Sequence, residues 1–582
     1  MKKRIILILF IIQGLIFPSA RIFTQIPGND STLFLLEIAN EKIHVFTDRS
    51  MYAVGEKIYF RVYNLSHPRL KETGWSKIIY IELIDAGHTS FANGKFALEN
   101  WGASGYIIIP ETVPTGNYYL RVYTKWMRNY SPSLYSYSKV KIINPYKEEL
   151  NVVEIPNTNK YISSETVLGK DSIINDAIQC FSGQNKYEKR KKATLKITLP
   201  DNNRISPDGY CLSVIKSGAI DSYINGITVA NFEDHEKPEE VKYYPETKGM
   251  SLSGKVIRKD QNIPSSHAEV HLSILGDQPE YFGYLTNEKG QFFFSLPHRN
   301  GVQNLYIGVE TKDDHPVDIL IDNDFSTEMI DLQQIPFILS EDEKRMAREI
   351  MFNMQLQKAF RQTSDSNSVS NKVYPKHFHF YGEPSVTIVI DDYIELPTLE
   401  EFFYELIPEV VLMRRKEQVY FVIQGNHSDL AIYKPLVLLD MVPVSDINSL
   451  LRIPPDRIHH IEVINATYVR GNMCFGGIIS VFSHKRDLAG IDLPTKSYFF
   501  DFKTYEPQQE IRFPDYSDIK TIERTPDFRN CMYWNPNVRV SPGESISINF
   551  YTSDNQGEYT ILIRGISAEG IILEGRSTFV VE

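Results

Sequence analysis

The stretch YVRGNMCFGGIISVFSHK (468–485) sets Cys474 just before Gly476-Gly477 and ends on His484-Lys485. Two chemistries use such a cysteine. A thiol nucleophile needs a histidine within reach, itself held by a third group. His484 falls near the end of the same predicted strand, roughly 33 Å away if the chain is extended. An internal thioester needs the order Cys-Gly-Glu-Gln, with the glutamine carbonyl captured by the thiol. Cys474 is followed by Phe475-Gly476-Gly477, which offers no acyl partner. The stretch therefore predicts a strand and turn, with Cys474 a small, partly buried strand residue.

Histidines give the other candidates. His377 and His379 alternate, so a strand would put both imidazoles on one face. Zinc requires three or four ligands, and no further ligand cluster accompanies the pair. His459 and His460 are adjacent and should point to opposite sides. Asp391-Asp392 and NDFSTE (323–328) read as solvated turns. No glycine-rich phosphate loop, GxSxG elbow, HExxH or CxxC occurs. The expectation is a chain that is not an enzyme, with no catalytic residues, no metal ligands and no cofactor.

The elements that must carry these residues are mostly strands. KIHVFTDRSMYAVGEKIYFRVYNL predicts two strands with a turn at Val54-Gly55-Glu56. KIIYIELID, ASGYIIIP and GNYYLRVYTKW follow, bounded by Gly, Pro, Asn or Asp. Short strands at this spacing predict a β-sandwich over 36–146. A second β-sandwich is expected over 150–247, from ATLKITLP and GYCLSVIKSG. A third, over 250–335, starts at SLSGKVIRKD; at about 80 residues it is near the lower limit for an independent core. Ser340 and Glu343 form a capping box, so a helix should begin at Glu341, followed by a polar linker to 371. Met346, Ile350 and Met354, with Ala347 and Met351, make an apolar stripe for core packing. Residues 374–490 predict an α+β unit, with Thr398 and Glu401 as a second capping box and DINSLLRI as a short helix. Residues 491–582 predict a C-terminal β domain. The fold class expected is mainly β and multidomain: serial β-sandwiches plus one α+β unit.

Length agrees, since 582 residues suggest roughly four domains. The abundance of Tyr (34) and Phe (32) favours strands. A net charge of -11 argues against nucleic acid as a partner, which needs a basic face. Lys2, Lys3 and Arg4 precede the apolar run Ile5 to Phe17, and Pro18-Ser19-Ala20 ends in small residues. Residues 1–20 thus read as a cleaved secretory signal, too short to span a bilayer, and no transmembrane segment is expected in the mature chain. Cys180 and Cys211 fall in one expected domain, and an oxidising compartment would permit their pairing.

Several stretches resemble known families. FTDRSMYAVGEKIYFRVY, with GYIIIPETVPTGNYYLRVYTKWMRNY, resembles the macroglobulin-type β-sandwich of α2-macroglobulin-like envelope proteins, where Tyr52, Gly55 and Glu56 match a Tyr-x-x-Gly-Glu turn. The third unit is similar to carboxypeptidase-regulatory-like domains at Gly254, Thr286, Gly290 and Phe292. The α+β unit resembles the plug of TonB-dependent outer-membrane receptors. The matching positions are Asp440, Pro455, Ile461-Glu462-Val463, Tyr468, Gly471, Gly476 and Gly477. It departs from that pattern at Met441, where plugs usually have glycine, and at Cys474, near which they have alanine. RTPDFRNCMYWNPNV (524–538) is similar to a segment opening a late domain in the same bacterial family.

The resemblance implies a non-enzymatic modular protein of the periplasm or outer membrane, giving spacing and partner binding. The implied partner is an envelope protein, with an outer-membrane barrel as one candidate. A receptor barrel needs roughly 22 strands of ~10 residues, and the stretch after Lys485 is too short for one. One alternative is an accessory to a TonB-dependent uptake system contacting a separate barrel. Another is a macroglobulin-like protease trap without a thioester. Tyr118, Tyr119, Tyr123, Trp126 and Tyr130 lie close in sequence; most should be core, and any left on the surface would suit a partner or glycan.

Overall fold

Alternating apolar residues in Lys57–Asn64 bury Ile58, Phe60 and Val62, and a tight turn precedes them. Gly55 in that turn sits at φ +79, a conformation open to glycine. The Tyr52 hydroxyl donates to Asp48 Oδ1 at 2.7 Å, and Glu56 pairs with Arg49 at 2.9 Å. These contacts fix the turn between Met51–Ala53 and Lys57–Asn64. The computed structural model describes residues 41–582 apart from 67–73, 100–101, 152–172, 175–177, 200–208, 220–240, 277, 313–314, 331, 333–335, 362–378, 394–395, 416–417, 426–427, 493–495, 508–509, 518–525 and 568–570. The signal-like segment 1–20, His377 and most of the linker to 371 lie outside these residues.

The first sandwich pairs a three-stranded sheet (Ile43–Thr47, Lys57–Asn64, Gly102–Ile108) with a five-stranded one. The latter runs Met51–Ala53, Ser136–Ile143, Gly116–Tyr123, Ile78–Ile84, Ser90–Ala97. Gly116–Tyr123 is central in its sheet. Its Tyr118, Tyr119 and Tyr123 are buried, as is Trp126 just beyond it, and Tyr130 is half-buried. Most of the group is core, as expected; the surface remainder that would suit a partner is corrected, since the strand is covered on both faces and only Tyr130 is half-buried. Tyr118 packs edge-on against Phe91. Tyr123 stacks on Tyr80 and Tyr135, and its hydroxyl accepts from Ser326 N, so residues near the end of the span 250–335 lie over that face.

The second and third units draw strands from distant sequence. Tyr210–Lys216 is buried along its whole length and pairs with Cys531–Val538 on one side and Gly557–Ile566 on the other. Lys192–Thr198 lies between Gln179–Ser182 and Ser545–Tyr551. The spans 150–247 and 491–582, expected as separate domains, therefore build one sandwich. An interior strand must pair its backbone along both edges, and the near sequence supplies neither partner. The third unit likewise gains an edge strand from beyond its expected end. Glu280–Leu285, Glu269–Ile274 and Val302–Glu310 are joined by Ser497–Lys503. The opposing sheet has Ser251–Arg258 at its centre. The architecture is nested: the α+β unit is inserted in the third sandwich, which is inserted in the second.

The chain is mainly β: the described residues are 48% strand and 11% helix, in many small sheets. The helix Glu341–Arg361 begins as its capping box predicts: Glu343 N donates to Ser340 Oγ and Ser340 N to Glu343 Oε2. Met346, Ala347 and Ile350 bury its stripe against Met51, Ala53, Ile143 and Ala219. No helix among the described residues is long and apolar enough to cross a membrane.

Candidate functional site

The α+β unit carries the motif residues on a five-stranded sheet. Its order is Val386–Val389, Ile458–Ile464, Ile478–Ser483, Leu436–Leu439, Val442–Pro443. The register of the strand Ile458–Ile464 shifts between Ile458 and His460, and alternation divides it from His460 on. Ile461 and Val463 enter a core with Leu399, Phe402 and Phe403 of the helix Leu399–Leu406. His460 and Glu462 face the other way, toward the third sandwich. On that side Tyr281 packs with Met441, Met473, Phe475 and Phe482.

Glu462 is buried beneath one hydroxyl donor and two imidazoles. The Tyr381 hydroxyl donates to Oε2 at 2.6 Å, while His379 and His460 approach at 3.6 and 3.5 Å. Burial works to raise the carboxyl, yet His460, Tyr381 and the charge of His379 hold it below its usual range. His379 is itself lowered, first by burial and against the pull of Glu462. His379 and His460 both stack on Phe482. His459 and His460, expected on opposite sides of the strand, nonetheless approach at 2.6 Å between their Nδ1 atoms, and His484 packs on His459 and lies 3.9 Å from Asp391.

Asp440 and Met441 form the two-residue turn between Leu439 and Val442, at φ +48 and +71. Both values are positive, the pattern of a type I′ hairpin turn. Asp440 holds it by accepting from Ser483 N (2.7 Å), Ser483 Oγ (2.5 Å) and Leu488 N (2.9 Å). Met441 is buried toward the third sandwich, and its carbonyl accepts from Ser273 Oγ at 2.7 Å.

The opening stretch of the sequence forms the second attachment. Tyr468–Arg470 and Met473–Phe475 make a hairpin whose tip is Gly471-Asn472. A Cβ on Gly471, at φ +66, would lie 2.0 Å from the Gly283 carbonyl oxygen. Asn472 then pairs with both backbone groups of Leu285, and Arg470 bonds the Tyr281 carbonyl and Glu280. The hairpin thus caps the edge strand Glu280–Leu285. Tyr468 donates to the Phe380 carbonyl at 2.9 Å. Gly476 and Gly477 are close approaches too: added Cβ atoms would meet the Leu430 and Tyr433 carbonyls at 2.3 Å and that of Ile464 at 2.5 Å. Pro455 opens the short turn Pro455–Arg457 and touches none of this. All four cysteines are free thiols; Cys180, Cys211 and Cys531 are buried, and Cys474 is exposed, not half-buried as expected.

The motif residues therefore fall into two groups, a docking seam (Asp440 with Met441, Tyr468, Gly471) and the sheet itself (Ile461, Glu462, Val463, Gly476, Gly477). Sequence reasoning missed Tyr381, Ser273, Arg470 and Asn472. Asn472 carried a signal, since Gly-Asn between two β-formers marks a hairpin tip.

No family model and no curated protein sequence matches the chain. Among solved structures it is similar to Salmonella α2-macroglobulin reacted with methylamine, at 8% identity and TM-score 0.22, covering 93% of this chain and 39% of that one. The native conformation of Escherichia coli α2-macroglobulin gives 8% and 0.22, covering 93% and 40%. Dimeric latent PorU from Porphyromonas gingivalis gives 8% and 0.15, covering 48% and 33%. The chain spans 39–40% of the length of those two α2-macroglobulin structures. The strand pairing, rather than these distant likenesses, defines the fold as nested, mainly β and multidomain.

Proposed function

We propose that the chain is a non-enzymatic, modular scaffold of the cell envelope whose inserted α+β unit is a plug-like module that receives a protein partner. The observation carrying this reading is how that unit is held. One face of its sheet, the turn at Met441 and the hairpin tip at Gly471 all engage the third sandwich. The elements on the other face stay outward: the helix Leu399–Leu406 and the hairpin Val410–Arg415 with Gln418–Ile423. Tyr404, Met413 and Tyr420 are exposed there, with Met413 opposite Tyr420 in register. Aromatic and methionine side chains are favoured at protein interfaces. The plug resemblance and the signal-like N-terminus support an envelope location and an envelope protein as partner.

The test uses the full mature chain as bait on envelope fractions, with cross-linking and mass spectrometry, beside the variant Tyr404→Ser, Met413→Ser, Tyr420→Ser. The expected result is one envelope protein cross-linked to the α+β unit and lost with the variant. A monomeric chain that retains no envelope protein, or a variant that retains the same protein, overturns the reading.

A further inference from the structure

A buried imidazole nitrogen without a partner stands beside two carboxylates in the third sandwich. In the strand Glu269–Ile274, Val270 and Leu272 face the hydrophobic core, so Glu269 and His271 share the opposite face. The neighbouring strand Val302–Glu310 sets Glu310 directly across from Glu269 and Gly308 across from His271. Like charges directly opposed across a ladder are unfavourable. The ligand atoms of Glu269, His271 and Glu310 all lie within 4.8 Å of one another, the one such group among the described residues.

His271 is only 5% exposed. Its Nδ1 meets the Tyr281 hydroxyl at 2.7 Å. Its Nε2 is buried with no hydrogen-bond partner and points to Glu310 Oε1 at 3.8 Å, beyond hydrogen-bond reach. Both flanking positions are glycine, Gly283 and Gly308, and this leaves room for walls around the ring. A Cβ on Gly308 would strike the Tyr306 hydroxyl, and one on Gly283 the Met473 sulfur and Tyr281. The half-buried carboxylates at the rim leave an entry from solvent.

We propose that Glu269, His271 and Glu310 bind one divalent transition cation of the zinc type. A single ion resolves both oddities: it takes the Nε2 lone pair and neutralises the opposed carboxylates. One imidazole and two carboxylates with a position left for water match the three-ligand sites zinc accepts, and the imidazole disfavours calcium and magnesium. Nδ1–H then donates to Tyr281, the outer hydrogen bond that orients a ligating histidine. Tyr281 also packs on Phe380 and Phe475 of the α+β unit, so the ion would sit behind the docking seam.

The test is titration of Zn²⁺ into the chelator-treated full chain by calorimetry, with Co²⁺ absorption as a second readout and Ca²⁺ as a separate arm. One equivalent of Zn²⁺ is expected. Glu269→Gln and Glu310→Gln, which conserve volume at half-buried positions, should each weaken binding at least tenfold, and Tyr281→Phe by about tenfold. His271→Asn should abolish both binding and the Co²⁺ bands, with circular dichroism confirming the fold. Absence of saturable Zn²⁺ binding, binding unchanged in both glutamine variants, or Ca²⁺ bound in preference to Zn²⁺ overturns the proposal.

Discussion

Replacing Met441 with glycine sets two effects against each other in one residue. Met441 occupies the second position of its turn at φ +71, where a side chain is disfavoured by ~1–2 kcal/mol. Glycine removes that strain and is what a type I′ turn prefers. The side chain, however, is 2% exposed and packs with Tyr281, Leu438 and Phe475. Truncating a buried methionine to alanine costs ~2–5 kcal/mol, and the freer unfolded chain of glycine adds ~0.5–1 kcal/mol. Packing should win, leaving Met441→Gly destabilised by about 2–3 kcal/mol at the seam. The backbone bond from Ser273 survives the substitution, so the loss is one of packing. A chain of several units does not unfold in two states, so the proper readout is local. Hydrogen–deuterium exchange of amides in Leu436–Leu439 and Glu280–Leu285 should accelerate roughly 30- to 150-fold. Unchanged or slowed exchange would mean that turn strain outweighs burial, and the account of this seam would be wrong.

Gly471→Ala puts a methyl into the Gly283 carbonyl and should lift the hairpin off its strand, with the Leu285 amide losing exchange protection while the core around Phe402 keeps its own. His44→Gln tests a pH effect. Burial, then Arg564 and Lys42, lower the His44 imidazole to about 3 from 6.5, so only the unfolded chain takes its proton between those values. Stability from this residue is therefore lost as pH falls from 6.5 toward 3, by about 4–5 kcal/mol in full. The variant should show a flatter acid limb in its thermal midpoint, and an unchanged slope would refute the assignment. Asp48, raised by burial against the pull of Arg49 to about 6, acts with the opposite sign from 3.8 to 6 in both proteins and cancels in the difference. Ser340→Ala breaks a reciprocal cap and should destabilise the first turn of Glu341–Arg361 by ~1 kcal/mol, seen as faster exchange at Lys344.

What was legible in the sequence was local. Both capping boxes, the turn at Gly55 and the methionine stripe depend on residues within a few positions of one another. Pairing partners were not legible. Tyr210–Lys216 reads as a buried strand whether its neighbours are close or, as here, beyond residue 530. The aromatic run from Tyr118 was expected to be mostly core, but that almost none of it reaches the surface was not legible, for a related reason. Alternation assigns one face of a strand to the core, but Ser326 and its neighbours cover the other. Glu269 and His271 were two residues apart in plain view. Glu310 joins them only through the register of two strands, which no spacing reveals.

Nesting also changes how the second sandwich can close. Ile215 pairs with Cys531 across roughly 300 residues of chain. Closing so long a loop costs about 3–4 kcal/mol more than closing a hairpin. The inserted third sandwich reduces this, because its entry and exit meet. Ser251–Arg258 begins just after Met250, Ser497–Lys503 ends just before Tyr505, and Met250 and Tyr505 are buried in the same core. Once that sandwich folds, the chain left to close between Ile215 and Cys531 shrinks to roughly 60 residues, lowering the cost by about 1.5 kcal/mol. The third sandwich therefore acts as the clasp of the second, and the α+β unit hangs from the clasp rather than from either end of the chain. A partner gripping the outward hairpin at Met413 and Tyr420 would pull on the seam at Met441 and Gly471 first, and on the second sandwich only after that seam had parted.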